Sequence, residues 1–292
     1  METIREIISF SHDGFGHMWY PFSAGLEEHN TTISTESYLE IRDLLNLIRS
    51  MFATNNHHPE IISEQNEKMS RKRLLGDITR TLCEIRFRTD KYEYILQRCF
   101  IEQYSTEARL QRVGSSITYQ GQNVIQMLSK INKPIIVDDS DMYVNNSLIF
   151  KPLDNYSREG MVALSNHWAR MIGLVDSRME LNFEGRWSTK GDFDSFGSKR
   201  HSSRNRVPSP LRLLTNLAQA VMKKRTYGLI SPIFSPFNVG TLTEFEAIAI
   251  MDLVHNVCKE ERLQFIVGIN AKPDTNSMID AIETPRFSVY ET

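Results

Sequence analysis

Cysteine is scarce. The 292-residue chain has three, Cys83, Cys99 and Cys258, and no two of them form a Cys-x-x-Cys pair. That spacing excludes the usual structural zinc sites. A sparse, odd count suits a reducing compartment. Cys83 and Cys258 stand among apolar neighbours and read as small core residues. An excess of one charge is lacking too: 34 Lys and Arg face 36 Asp and Glu, for a net charge of −2. The chain as a whole is no polycation, so any nucleic-acid contact has to be a local patch. No apolar run approaches the roughly 20 residues that span a bilayer. The opening METIREIISFSHDG carries acids early and no signal-peptide core. The expectation is an intracellular, cytoplasmic protein with no membrane contact.

Catalytic signatures are also missing. The phosphate loop Gly-x4-Gly-Lys-Ser/Thr does not occur. The nearest stretch, GDFDSFGSK, has five residues between its glycines and Ser198 where the lysine belongs. Gly14 and Gly16 form a Gly-x-Gly without a clear strand before it or helix after it. There is no Gly-x-Ser-x-Gly elbow and no His-Glu-x-x-His helix. His167 and His255 fall within predicted helices, and the pair His57–His58 falls in a loop.

What is present divides the chain. Residues 1–33 mix Gly, His and aromatics without a period and read as irregular. Ser34, with Glu36 behind it, opens a helix through STESYLEIRDLLNLIRSMF. Leu75, Ile78, Leu82 and Ile85 alternate spacings of three and four, continued by Tyr92, Leu96 and Cys99. That seam predicts a bundle helix or a short coiled-coil arm. VGSSITYQG breaks it, and QNVIQMLSKIN predicts a further helix. Residues 1–130 are therefore expected to be mainly helical. From Pro134 strand and helix signals alternate: KPIIVDDSD, a helix over SREGMVALSNHWARMIGL, RMELNFEG, a helix over 211–224, a strand within 226–238, a helix over 244–259, LQFIVGI and RFSVY. The expected class is α/β, with α+β as the alternative: a helical amino-terminal half, then an αβ domain over 131–292 with a mixed or parallel sheet flanked by helices.

Two clusters carry candidate chemistry. Asp138, Asp139 and Asp141 end an apolar run, as carboxylates do where they hold a divalent cation. Asp and Ser are equally the residues of a turn after a strand. The loop 185–210 lacks a core period. Arg186, Lys190, Lys199, Arg200, Arg204, Arg206 and Arg212 place seven cations along and just past it, with Trp187, Phe193 and Phe196 between them. Cations for phosphates and aromatics for stacking suit a nucleic-acid contact. A solvated surface loop has the same composition.

The stretch YGLISPIFSPFNVG, the helix after it and KEERLQFIVGIN resemble the end of the ATPase head in SMC-type proteins of the ABC superfamily. The resemblance covers residues 209–292. It implies that the helix 209–222 stands where the signature helix precedes the acidic strand, and that the 75–99 seam is a remnant of the coiled-coil arm. It also implies a Mg²⁺-binding acid near Ser231 or Pro232, and neither residue is an acid. No Asp or Glu occurs between Thr226 and Asn238, RVPSP replaces the signature Ser-Gly-Gly, and the phosphate loop is missing. Hydrolysis of ATP by the usual route needs these groups. The expectation is a non-catalytic scaffold or interaction subunit without a cofactor. It would take a protein partner or self-associate, and touch nucleic acid through residues 186–212. Two alternatives stand beside it: a Mg²⁺-dependent nuclease or nucleotidyl-processing enzyme using Asp138, Asp139 and Asp141, and a viral or mobile-element component.

Overall fold

A computed structural model describes residues 1–14, 17–23, 30–35, 38–54, 80–101, 105–137, 155–174, 179–181, 187–189, 209–238, 242–270 and 286–288. The amino-terminal part is not helical. It opens with the strands β1 (Glu2–Gly14), β2 (His17–Ser23) and β3 (Asn30–Thr35), and helix α1 (Tyr38–Met51) follows. Then come β4 (Arg80–Thr89), β5 (Glu93–Ile101), β6 (Ser105–Arg112), β7 (Thr118–Gln120), α2 (Gln122–Leu128), β8 (Ile131–Asn132) and β9 (Ile135–Ile136).

The seam read as a helix or coiled-coil arm is a hairpin as far as the described residues reach. Leu82 and Ile85 lie on β4, Leu96 and Cys99 on β5, and Tyr92 in the turn. The physical reason is a period of two. Cys83, Ile85 and Phe87 are buried along β4, and Tyr94, Leu96, Arg98 and Phe100 along β5, while Leu82 is 41% exposed. Ile85 pairs with Leu96, and Leu96 with Leu110 of β6. Asp90 and Lys91 make the turn, where the Thr89 amide donates to the Tyr92 carbonyl at 2.7 Å. Leu75 and Ile78 lie outside the described residues.

The remainder supplies α3 (Asn155–Met171), β10 (Met179–Leu181), β11 (Trp187–Thr189), α4 (Ser209–Tyr227), β12 (Ile233–Asn238), α5 (Glu244–Glu261), β13 (Phe265–Asn270) and β14 (Arg286–Ser288). These helices and strands fall where strand and helix signals alternate in the sequence. One departure is β11, which pairs antiparallel with β10 inside the stretch read as a loop.

Two sheets organise the described residues. One runs β2-β1-β4-β5-β6-β7 and is antiparallel, with β8 added in parallel beside the first residues of β1. The other runs β14-β3-β13-β12-β9 and is parallel throughout. β3 thus brings an early segment into the middle of the late sheet.

Alternation of side chains across the parallel sheet builds two cores. Ile233, Phe237, Phe265, Val267 and Ile269 face a core completed by α3, α4 and α5. Phe234, Ile266 and Ile136 face the opposite core, with Leu44, Leu45, Leu47, Ile48 and Met51 of α1 and the inner face of the antiparallel sheet. α1 therefore fills the space between the two sheets. It is amphipathic: Leu44, Leu45, Leu47, Ile48 and Met51 are buried and Arg49 is exposed. On the far layer α3 and α4 run antiparallel. Ser157 meets Thr226 at 2.8 Å and Ser165 meets Thr215 at 3.2 Å.

Candidate functional site

In an open parallel sheet, ligands bind beyond the carboxyl ends of the strands, where strand order reverses. Here that edge is set by register. Thr35 of β3 pairs with Asn270 of β13, and Asn270 with Asn238 of β12. The three residues form one row across adjacent strands. Ser288 of β14 pairs with Ser34, one step inside it.

Two of these strands, β3 and β12, are each followed in the chain by a helix. β3 ends at Thr35 and α1 begins at Tyr38, so only Glu36 and Ser37 separate them. β12 ends at Asn238 and α5 begins at Glu244, which leaves VGTLT between them. A phosphate loop is a strand, then Gly-x4-Gly-Lys-Ser/Thr, then a helix. Two residues cannot hold it after β3. The wider segment NTTISTESYLEI (30–41) contains neither Gly nor Lys, so the exact strand end does not matter. The five-residue turn after β12 has one glycine and no lysine. Gly14 lies elsewhere, at the end of β1 where it pairs with His17 of β2, and Gly16 lies outside the described residues.

The structure moves the position of the missing acid. Ser231 and Pro232 precede β12, at the amino end of the sheet, and the Ser231 hydroxyl donates to the Asn132 carbonyl at 3.1 Å. At the carboxyl end stands Asn238. β12 begins beyond Pro232 and contains a second proline, Pro236. That proline is tolerated for a reason. The carbonyls of Pro232 and Phe234 accept from Ile135 and Val137, so even-numbered backbone groups of β12 face β9. Pro236 faces the same side, beyond the last pair of β9.

Of the sequence-derived cations only Arg212 is described, half-buried in the first turn of α4. Arg186, Lys190, Lys199, Arg200, Arg204 and Arg206 lie outside the described residues, as do Asp138, Asp139, Asp141, His57 and His58. Among the described residues no cluster of three His, Cys, Asp or Glu could hold a metal ion. No helix among them is long and apolar enough to cross a membrane. All three cysteines are buried thiols outside any disulfide, and burial holds the Cys258 thiol well above its ordinary value. These are inert core thiols. His167 is exposed on α3.

The described architecture matches the head domain of an Smc protein from Pyrococcus furiosus, solved with an extended coiled coil and bound to the C-terminal domain of ScpA. The TM-score is 0.51 at 11% identity, over 95% of this chain and 92% of that one. The fold is that of an SMC head. The SMC head domain from Thermotoga maritima aligns at a TM-score of 0.49 and 13% identity, over 98% of this chain and 99% of that one. The recombination mediator RecF aligns at 0.49 and 11%, over 98% and 96%. No protein-family model matches the chain, and no curated protein sequence does. The likeness spans both sheets, well beyond the 209–292 stretch that suggested it. Sequence reasoning missed Thr35, Asn238 and Asn270. The signal for them was the spacing of the two closing strands: IFSPFN and FIVGIN both end in Asn at the carboxyl edge of an SMC-head sheet.

Proposed function

We propose that this chain is a non-catalytic SMC-head-like subunit that works as a scaffold for a protein partner or a second copy of itself. The passage from β3 into α1 across Glu36 and Ser37 carries the reading. Two residues are too few for Gly-x4-Gly-Lys-Ser/Thr, and the segment 30–41 contains neither the glycines nor the lysine of such a phosphate loop. The absence of any carboxylate from Thr226 to Asn238 supports it, because a Mg²⁺ ligand and a water-polarising base are then both missing from β12. The purified full chain, incubated with Mg²⁺ and ATP, is expected to release no phosphate above the buffer rate. Turnover that co-purifies with the chain and disappears on Asn238→Ala would sink the reading. The Pyrococcus head was solved with a domain of ScpA. A protein partner is proposed for this chain on the same footing, in an intracellular, cytoplasmic setting.

A nucleic-acid contact through Arg186, Lys190, Lys199, Arg200, Arg204, Arg206 and Arg212 belongs to this reading. Replacing Lys199, Arg200, Arg204 and Arg206 by Ser should weaken binding to duplex DNA or single-stranded RNA. It should also flatten the salt dependence, by about 0.7–0.9 for each phosphate that is no longer neutralised. Equal affinity and slope would remove the contact from the proposal.

One observation favours a second reading. The Val137 amide donates to the Phe234 carbonyl at 2.9 Å, which extends the β9 pairing to the last described residue before Asp138. A Mg²⁺-dependent enzyme would use Asp138, Asp139 and Asp141. A Mg²⁺-stimulated nuclease activity that vanishes in Asp138→Asn with Asp139→Asn would establish it. No thermal shift with Mg²⁺ or Mn²⁺ would dismiss it.

A further inference from the structure

A cavity of about 200 Å³ opens at the amino end of the parallel sheet, away from the edge just described. Three cations line it from three separate elements: Arg5 on β1, Lys224 near the end of α4, and Arg262 in the turn between α5 and β13. Its remaining described walls are Leu229, Ile230, Ser231, Leu263 and Gln264, so among the described residues no carboxylate lines it. The two acids adjacent to these cations in sequence are engaged elsewhere: Glu261 accepts from Nε and Nη2 of Arg225, and Glu6 pairs with Arg88 at 3.1 Å. The Ser231 hydroxyl is committed to the Asn132 carbonyl, and the Gln264 amide to the Ile7 backbone. The wall is thus neutral and held in place, and the charge in it is all of one sign.

Arg262 adds a second, independent observation. Among the described residues it is the one non-glycine with positive φ, at 54°. It sits just past α5, where its amide and that of Leu263 turn back to the Cys258 carbonyl. Glycine is the ordinary residue there, because a Cβ is strained in the left-handed region. A side chain held against that strain, beside two further cations, marks a functional position. The Lys224 ammonium donates to the Arg262 carbonyl, which fixes the turn and the cation beside it together.

We propose that Arg5, Lys224 and Arg262 bind a phosphate dianion in this cavity. Three converging cations match the charge and multiple acceptor oxygens of phosphate. The size matches too. At roughly 30 Å³ per water the cavity holds a phosphate group with a few waters. It is smaller than the roughly 300–1,000 Å³ of sites for drug-sized ligands, so a nucleoside does not fit inside. The phosphate is either the free ion or the terminal group of a small ester whose remainder lies outside the mouth.

The test titrates the full chain with inorganic phosphate and with glycerol 3-phosphate, at ionic strength matched by sodium chloride. Calorimetry and the thermal midpoint are the readouts. Saturable binding with a rise in Tm over chloride is expected for at least one of them. Tighter binding of inorganic phosphate assigns the free ion, and tighter binding of glycerol 3-phosphate assigns the ester. Arg262→Gly removes a cation and the backbone strain together, so it should weaken binding about tenfold or more without lowering the Tm of the unliganded protein. Arg5→Gln, at an exposed position on a strand, should weaken it similarly. Identical midpoints in phosphate, ester and chloride would overturn the proposal. So would unchanged affinity in Arg262→Gly.

Discussion

The side chain of Gln264 holds both backbone groups of Ile7. The Ile7 amide donates to Gln264 Oε1 at 2.8 Å, and Gln264 Nε2 donates to the Ile7 carbonyl at 3.1 Å, across 257 positions of sequence. The outer edge of β1 explains why. β8 covers residues 2–3 of that edge, and β2 pairs with it from Ser9 onward. Ile7 falls in the gap, and Gln264, 6% exposed, stands in for the missing strand. One amide thereby fastens the first strand of the antiparallel sheet to the start of β13 in the parallel one. Gln264→Leu keeps the volume and leaves two buried backbone groups without partners, each costing about 1–3 kcal/mol. A loss of about 2–4 kcal/mol is expected in the urea midpoint. Gln264→Glu should also destabilise the protein, because a carboxylate cannot donate to the Ile7 carbonyl.

Thr243 and Glu246 close a reciprocal cap on α5. The Glu246 carboxylate accepts from the Thr243 amide and hydroxyl, each at 2.8 Å, and the Glu246 amide donates to Thr243 Oγ1 at 3.3 Å. The Thr243 backbone bond, and then its hydroxyl, hold Glu246 below the ordinary carboxylate value. A depressed acid stabilises the fold above its unfolded value, near 4.3. That contribution fades as pH falls through the depressed one. Glu246→Gln can still accept these bonds but does not titrate. Wild type should exceed the variant by about 0.5 kcal/mol at neutral pH, a small figure because the site is exposed. The difference should close at low pH. Urea midpoints measured from pH 7 to pH 3 on both proteins check the sign.

The second half of the fold was legible because each element there obeys one period and has clear ends. Helix α5 starts at a Thr-x-x-Glu box, and β13 is an uninterrupted apolar run covered on both faces. The first half misleads for a specific reason. β1 carries irregularities between Ile4 and Glu6 and between Ile7 and Ser9, so its buried residues Ile4, Ile7 and Phe10 fall three apart. That spacing hides the period of two, so the stretch reads as irregular in the sequence. On β5 a buried arginine, Arg98, breaks the apolar alternation that would have announced a strand. The carboxyl edge was half legible. The absence of acids could be read directly, but their expected place could not. Two prolines in SPIFSPFN hid where β12 begins, and only the pairing with β9 and β13 shows it.

Gly160 on α3 is present for closeness, since its backbone is ordinary helix. A Cβ built there would stand 2.5 Å from Met222 Cε and 2.9 Å from Sδ, on the facing side of α4. The obstacle is the flexible end of a methionine, which can move aside. Gly160→Ala should therefore change stability by less than about 0.5 kcal/mol. The gain of up to about 1 kcal/mol in helix propensity is offset by repacking Met222. Gly160→Val adds two methyls beyond alanine's Cβ, more than Met222 can clear, and should cost about 1–3 kcal/mol. Chemical denaturation of both variants separates close packing from mere tolerance, because tolerance would leave Val as neutral as Ala.

Arg98 is 1% exposed on β5, and Nη2 donates to the Ala53 carbonyl just past the end of α1, while Nε has no partner. Burial pushes its guanidinium down to about 10. Burial and then the nearness of Arg98 lower Lys133 as well. For a base the sign is unfavourable to the charged fold. The unfolded chain holds the proton more readily, so the penalty is fully present at every pH below about 10. Against it stands one charged hydrogen bond at the negative end of α1, worth about 1.5–3 kcal/mol. The two nearly cancel. Arg98→Met is expected to lie within about 1 kcal/mol of wild type, where breaking a buried ion pair would cost about 3–5 kcal/mol. Lys133 should then titrate higher, which NMR of its side-chain carbons can follow. A loss above about 3 kcal/mol, with Lys133 unmoved, would mean that the guanidinium holds α1 in place and that its burial costs little.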